Sequence, residues 1–114
     1  MRDGMMISKR ILWVAGFAAM FAGITAAQAG NPAAGKEKSK SCAACHGADG
    51  NSTVPDFPRL AGQHYDYLVK ALSDYKSGER KNAIMAPLAA SLSKRDIEDL
   101  AAFYSRQQGL TVKY

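Results

Sequence analysis

Both cysteines of this 114-residue chain fall within one stretch, SCAACHGADG at positions 41–50. Cys42 and Cys45 are three positions apart and His46 follows the second, so one of only two histidines shares the site. A redox-active dithiol at this spacing needs a strand-to-helix junction in an α/β fold, and the sequence offers no strand pattern. A zinc site needs four ligands. Cys42, Cys45, His46 and His64 could supply them, but the adjacent Cys45 and His46 would have to turn onto one ion together, unlike the spaced histidines of a zinc finger. A disulfide between the two thiols would close almost no loop and stabilise little. The remaining chemistry is covalent haem attachment, for which C-x-x-C-H is the signature. On one helical turn the two sulfurs reach the two vinyl groups along one porphyrin edge, and the imidazole stands beneath the iron.

The segment before the motif reads as an address. Arg2, Lys9 and Arg10 precede an apolar run from Ile11 to Ala27, which ends in Ala27-Gln28-Ala29. These are the three regions of a cleaved secretory signal peptide, so residues 1–29 are expected to be removed and 30–114 to form one small domain. An uncleaved membrane anchor is the competing reading, since about 17 apolar residues is the lower edge of what crosses a bilayer. A domain this small is marginal unless a metal, disulfides or a cofactor supports it. The full chain carries 15 Lys and Arg against 10 Asp and Glu, and losing Arg2, Lys9, Arg10 and Asp3 leaves a net charge of about +3. With no dense basic run and no aromatic residues among basic ones, nucleic acid is excluded as a partner. An acidic patch on another protein suits the charge better.

The elements that must position the motif are helical throughout. Asn31 as N-cap and Pro32 at the first position open a helix running toward the cysteines. Residues 47–58, GADGNSTVPDFP, are too rich in Gly, Asn, Ser, Asp and Pro for regular structure. A second helix is predicted over Gln63 to Ser77, with Tyr65, Leu68, Val69, Leu72 and Tyr75 at helical spacing as core and Gly78 as its stop. A short helix is expected around Pro87 to Leu92. The last begins at Ser93, where Asp96 three residues on makes a capping box, and buries Ile97, Leu100, Ala101 and Tyr104. The fold class is all-α, three to five helices wrapped around one covalently bound haem.

In its order of motifs the chain resembles the class I c-type cytochromes, and is similar to small bacterial cytochromes of the c553 and c4 types. CAACHGADG, FPRLAGQ, SGERKNAIMAPLA and LSKRDIEDLAAFYSRQ follow one another as haem motif, proline loop, distal methionine segment and C-terminal helix. The first helix departs from the pattern: GKEKSKS lacks the aromatic residue often packed against the C-terminal helix, and Gly35 is expected to allow close approach instead. The resemblance implies haem c tethered through Cys42 and Cys45, with His46 as one axial ligand. Met85 would be the other, the one methionine of five that does not leave with the signal peptide; such a Met/His pair raises the potential of the iron. His64 is the rival sixth ligand. The resemblance also implies that the carbonyl of Pro58 accepts the imidazole N–H, and places Arg59, Gln63, Arg80 and Lys81 near the haem propionates.

A haem closed on both faces by protein ligands can change charge but offers no open coordination site. The function expected is a periplasmic electron carrier and not an enzyme, serving transient protein redox partners with an acidic docking surface and meeting membranes only through them. The alternatives are a five-coordinate haem enzyme or gas sensor, or an electron-transfer subunit of a larger dehydrogenase or oxidase. Cytochrome c-prime-like proteins carry the motif near the C-terminus of a four-helix bundle, whereas here it stands near the start of the domain. Intact-mass analysis of the exported protein is expected to give residues 30–114 plus one haem; a membrane-bound product retaining residues 11–29 would refute the processing site.

Overall fold

Asn31 starts the first helix as its side chain requires: Oδ1 accepts from the N–H groups of Ala33 (2.9 Å) and Ala34 (3.2 Å), and Pro32 fills the first helical position. In the computed structural model, which describes Gly16 and residues 29–110, this helix is α1 (Pro32–Lys38). A single 3-10 turn (Ser39–Ser41) leads into α2 (Ala43–His46), followed by α3 (Tyr65–Ser77), α4 (Met85–Ala90) and α5 (Lys94–Ser105). No strand occurs among the described residues. The proposed leader, apart from Gly16 and Ala29, lies outside them.

The organising helix is α5. Ser93 Oγ accepts from Asp96 N–H (3.0 Å) and Asp96 Oδ2 accepts from Ser93 N–H (2.8 Å), so the capping box forms with the shorter Asp. α1 packs on one side of α5 and α3 on another. Burial therefore extends beyond the expected stripe of Ile97, Leu100, Ala101 and Tyr104 to Ala102 and Phe103. The α1 contact is as close as Gly35 allows: a Cβ there would lie 2.0 Å from the Asp99 carbonyl oxygen and 2.8 Å from Phe103 Cβ. The aromatic residue at this crossing thus comes from α5, as Phe103.

Asp99 joins the same two helices by charge. It is 2% exposed; Oδ1 accepts from Asn31 N–H (2.7 Å), Oδ2 pairs with Lys38 Nζ (2.7 Å), and Arg95 Nε approaches Oδ1 at 3.3 Å. Lys38 Nζ also reaches Asp96 Oδ1 at 2.7 Å. Burial pushes the Asp99 carboxyl up, but the Asn31 N–H and the Lys38 ammonium outweigh it and the group is held below its ordinary value. Hydrogen bonds from Lys38 and from Ser93 bring Asp96 down to about 2.

Two boundaries differ from the sequence expectation. α3 begins at Tyr65 and not at Gln63, because the Gln63 side chain turns back to accept His64 N–H (2.8 Å). α4 spans Met85–Ala90 and not Pro87–Leu92. Asn82 Oδ1 accepts the N–H groups of Ile84 and Met85 (both 2.9 Å) and so starts the helix earlier, leaving Pro87 in the first turn, where no N–H is needed. At the other end of α3, Gly78 takes φ +85° and its N–H closes the helix on Asp74 O (3.0 Å).

The lowered carboxyls fix a pH dependence. A carboxyl with a depressed folded pKa contributes stability above its unfolded value, about 3.9 for Asp, and loses it as pH falls through the folded value. Thermal stability is therefore expected to drop between about pH 4 and pH 2. Asp99→Ala should cost about 1 to 2 kcal/mol at neutral pH, because it leaves the Asn31 N–H without its acceptor while Lys38 keeps Asp96, and should shrink that acid limb to the part Asp96 carries; an unchanged limb in thermal melts would exclude Asp99 as a cause of it.

Candidate haem site

The two thiols sit on one tight turn. Cys45 N–H and His46 N–H both bond to Cys42 O (3.2 and 3.0 Å), and Gly47 N–H bonds to Ala43 O (2.9 Å). Both cysteines are free and half-buried, so neither sulfur is consumed by a disulfide. His46, at the end of α2, is 7% exposed. Its Nδ1 lies 2.8 Å from the carbonyl oxygen of Pro58. A carbonyl only accepts, so Nδ1 carries the proton and Nε2 keeps its lone pair, the tautomer a metal-binding imidazole needs. Phe57 stands edge-on to the ring, centroid to centroid 6.3 Å, and further fixes its plane.

Cys42, Cys45 and His46 open onto a cavity of about 370 Å³, whose wall also includes Pro58, Arg59, Gln63, Arg80 and Met85. The fold thus brings onto one wall eight residues spread over more than forty positions. His64 is exposed at the start of α3 and is not part of that wall, and neither is Lys81. Much of the remaining wall is apolar, with Leu68, Leu72, Leu88, Leu92 and Leu100 among its residues. This revises the role of the α3 stripe: only Leu68 is buried, while Leu72 and Tyr75 are half-buried because they face the cavity.

Arg80 is expected here from the sequence, whereas Tyr67, Asn82 and Ile84 carry little signal in it. Arg80 is organised by aromatic neighbours: its guanidinium lies 4.8 Å from the Tyr75 ring centroid, and Nη1 donates to Tyr67 Oη at 3.2 Å. Asn82, Ile84 and Tyr67 also line the cavity. An N-x-x-M spacing was the only hint of Asn82, whereas Tyr67 faces the cavity purely through the rotation of α3. The Tyr104 hydroxyl, on the same wall, is buried without a hydrogen-bond partner, and burial, reinforced by Cys42, pushes its pKa far above the ordinary value, so it stays protonated.

These features suit a c-type haem: two unengaged sulfurs on one turn, an imidazole with the free nitrogen selected, a mostly apolar slot, and a buried hydroxyl unmatched within the protein. Among the described residues no three His, Cys, Asp or Glu side chains group to hold a metal ion.

The cytochrome c family model matches residues 32–106. The chain is 49% identical over 80 residues to cytochrome c4 of Pseudomonas aeruginosa, covering 70% of this chain and 40% of that one. It is 46% identical over 83 residues to cytochrome c-554(548) of Halomonas halodenitrificans, covering 70% of this chain and all of that one. The crystal structure of reduced recombinant cytochrome c4 from Pseudomonas stutzeri superposes with a TM-score of 0.68 at 45% identity, over 72% of this chain and 48% of that one. The chain therefore spans less than half the length of its cytochrome c4 relatives. With the helical fold, the Cys42-x-x-Cys45-His46 turn and these likenesses together, the chain belongs to the cytochrome c family as a class I c-type cytochrome, with haem c bound covalently through Cys42 and Cys45.

Proposed function

We propose that this domain is a periplasmic one-electron carrier whose iron is held between His46 Nε2 and Met85 Sδ. The observation that carries this reading is the pairing of His46 Nδ1 with the Pro58 carbonyl on a cavity whose wall also holds Met85. The haem supplies a reversible Fe(III)/Fe(II) couple, and a Met/His axial pair sets it at the higher end of the range.

The chain's own residues account for the rest. Pro58 O and Phe57 hold the imidazole in one orientation, so His46 needs no rearrangement when the charge at the site changes. The leucine-rich wall excludes water and lowers the local dielectric, which disfavours the more highly charged oxidised state. Arg59, Gln63 and Arg80 are the donors available to propionates. Arg80 is the best prepared of the three, because Tyr67 and Tyr75 hold its guanidinium in place. The Ala27-Gln28-Ala29 site supports export, and among the described residues no helix is long and apolar enough to cross a membrane. A relative matched over its whole length is itself named a cytochrome, which supports a carrier acting as a single domain. The extra length of the cytochrome c4 relatives favours a second reading, a module within a larger redox assembly; sedimentation of the purified native protein separates the two.

Met85→Ala is expected to retain haem, since Cys42 and Cys45 still tether it. It should also lose the thioether-to-iron charge-transfer band, lower the potential and admit exogenous imidazole. An unchanged spectrum in this variant, with a change in His64→Ala, would transfer the ligand role to His64.

The partners are proteins with acidic docking surfaces, met in short-lived complexes. A carrier must dissociate between turnovers, so its contact is small and its orientation comes from long-range charge. Of the basic residues suited to such docking, Lys36, Arg80 and Lys81 are exposed, while Lys40 is paired with Glu37 and Lys38 with Asp96 and Asp99. Raising ionic strength from about 0.01 to 0.15 M shortens the Debye length from about 30 to 8 Å. Electron-transfer rates with an acidic protein partner should fall over that range while reduction by a small neutral donor stays constant; rates that are flat or rise would replace charge steering with an apolar contact.

A further inference from the structure

The residue proposed as sixth ligand sits on an element that cannot hold itself. α4 has six residues, and helices this short do not persist alone in water. Met85 is its first residue and Ile84, the residue before, makes no side-chain cap. Two side chains from outside α4 hold its ends. At the N-terminal end, Asn82 Oδ1 accepts from both Ile84 N–H and Met85 N–H, and the Asn82 carbonyl accepts from Ala86 N–H at 3.0 Å. At the C-terminal end, Lys76 reaches across from α3, its Nζ donating to Ala90 O (3.2 Å) and to Leu92 O. An ammonium on the last carbonyls also complements the helix dipole. Between the clamps, Ala89 is fully buried and pins the middle of the helix to the fold.

We infer that Asn82 and Lys76 are positioning residues for the Met85 thioether: together they hold α4 at the register that keeps the sulfur directed at the site, and each limits how often Met85 swings away. The inference rests on the proposed Met85 ligation. Asn82 acts on Met85 through the Met85 amide itself, so movement of this cap moves the backbone that carries the thioether. Lys76 acts through the far end of the same helix. Neither residue needs to touch the iron, and the Asn82 amide is uncharged, so its effect is one of geometry.

The test compares capping variants of equal chemistry at two helices. Asn31 caps α1 by the same two-amide pattern, away from α4, so Asn31→Ala controls for the loss of a cap as such. In the oxidised holoprotein, Asn82→Ala and Lys76→Ala are each expected to raise the rate of imidazole binding about fivefold, the factor equivalent to a typical cap of about 1 kcal/mol. They should also weaken the thioether-to-iron band and speed amide exchange at Ile84 and Met85. Asn82→Ser, which restores an acceptor, and Lys76→Arg should return toward the wild-type rate. The inference is overturned if Asn82→Ala and Lys76→Ala bind imidazole no faster than Asn31→Ala, or if the conservative variants fail to rescue. Met85→Ala keeps the two levels apart. If Met85→Ala admits imidazole and the cap variants do not, only the positioning roles fall; if Met85→Ala changes nothing, the ligation falls and takes them with it.

Discussion

Leu68, Leu100 and Tyr104 belong at once to the packed core and to the wall of the cavity, so the interior on the α3 side of α5 is shared with the haem. The buried apolar set among the described residues contains few large side chains, and four of its members are alanines. A core of that kind supplies little of the burial that a small domain needs. The helices are arranged so that what they lack in mutual contact is made up by contact with one flat apolar group. The short α2 and α4 show this most directly, because each exists mainly to bring a side chain to the cavity.

The two sides of the cavity are built by different means. On the His46 side, control is exerted by backbone: a single helical turn sets the sulfur spacing, and an irregular loop delivers the Pro58 carbonyl at hydrogen-bond distance from the imidazole. That loop is tied back to the fold by main-chain bonds, Leu60 N–H to Gly50 O at 2.8 Å and Gly62 N–H to Tyr104 O at 3.0 Å. On the Met85 side, control is exerted by side chains, Asn82 and Lys76 at the ends of α4 and Arg80 braced by Tyr67 and Tyr75. The two proposed ligands would thus be held by different means, the imidazole by a backbone carbonyl and the thioether through side chains at the ends of its helix.

Charge is partitioned in the same way. The Asp99 network lies at the α1–α5 crossing, where a buried carboxylate is matched by Lys38, Arg95 and the Asn31 N–H. It secures the two helices against each other. The cations of the cavity rim, Arg59 and Arg80, are exposed, and salt screens such charges readily. The one buried carboxylate among the described residues is thus fully matched, while charge available for recognition stays in solvent.

The chemistry was legible in the sequence because it is encoded locally. Cys42, Cys45 and His46 lie within one turn, where covalent geometry leaves few arrangements, and the helices announce themselves by spacing and by caps such as Asn31 and Ser93. The class of fold and the covalent haem followed from that, while Pro58 and Met85 were candidates through the resemblance to class I c-type cytochromes. Other features needed the fold. That Asp99 is buried rather than solvated depends on a glycine 64 positions earlier letting α1 lie against α5, a long-range packing event that helical periodicity does not register. The early start of α4 depends on which way the Asn82 side chain turns, and the facing of Tyr67, Leu72 and Tyr75 toward the cavity depends on the rotation of α3 about its axis. Local sequence sets spacing along a helix, but only the packing of one helix on another sets which side of it meets the cofactor.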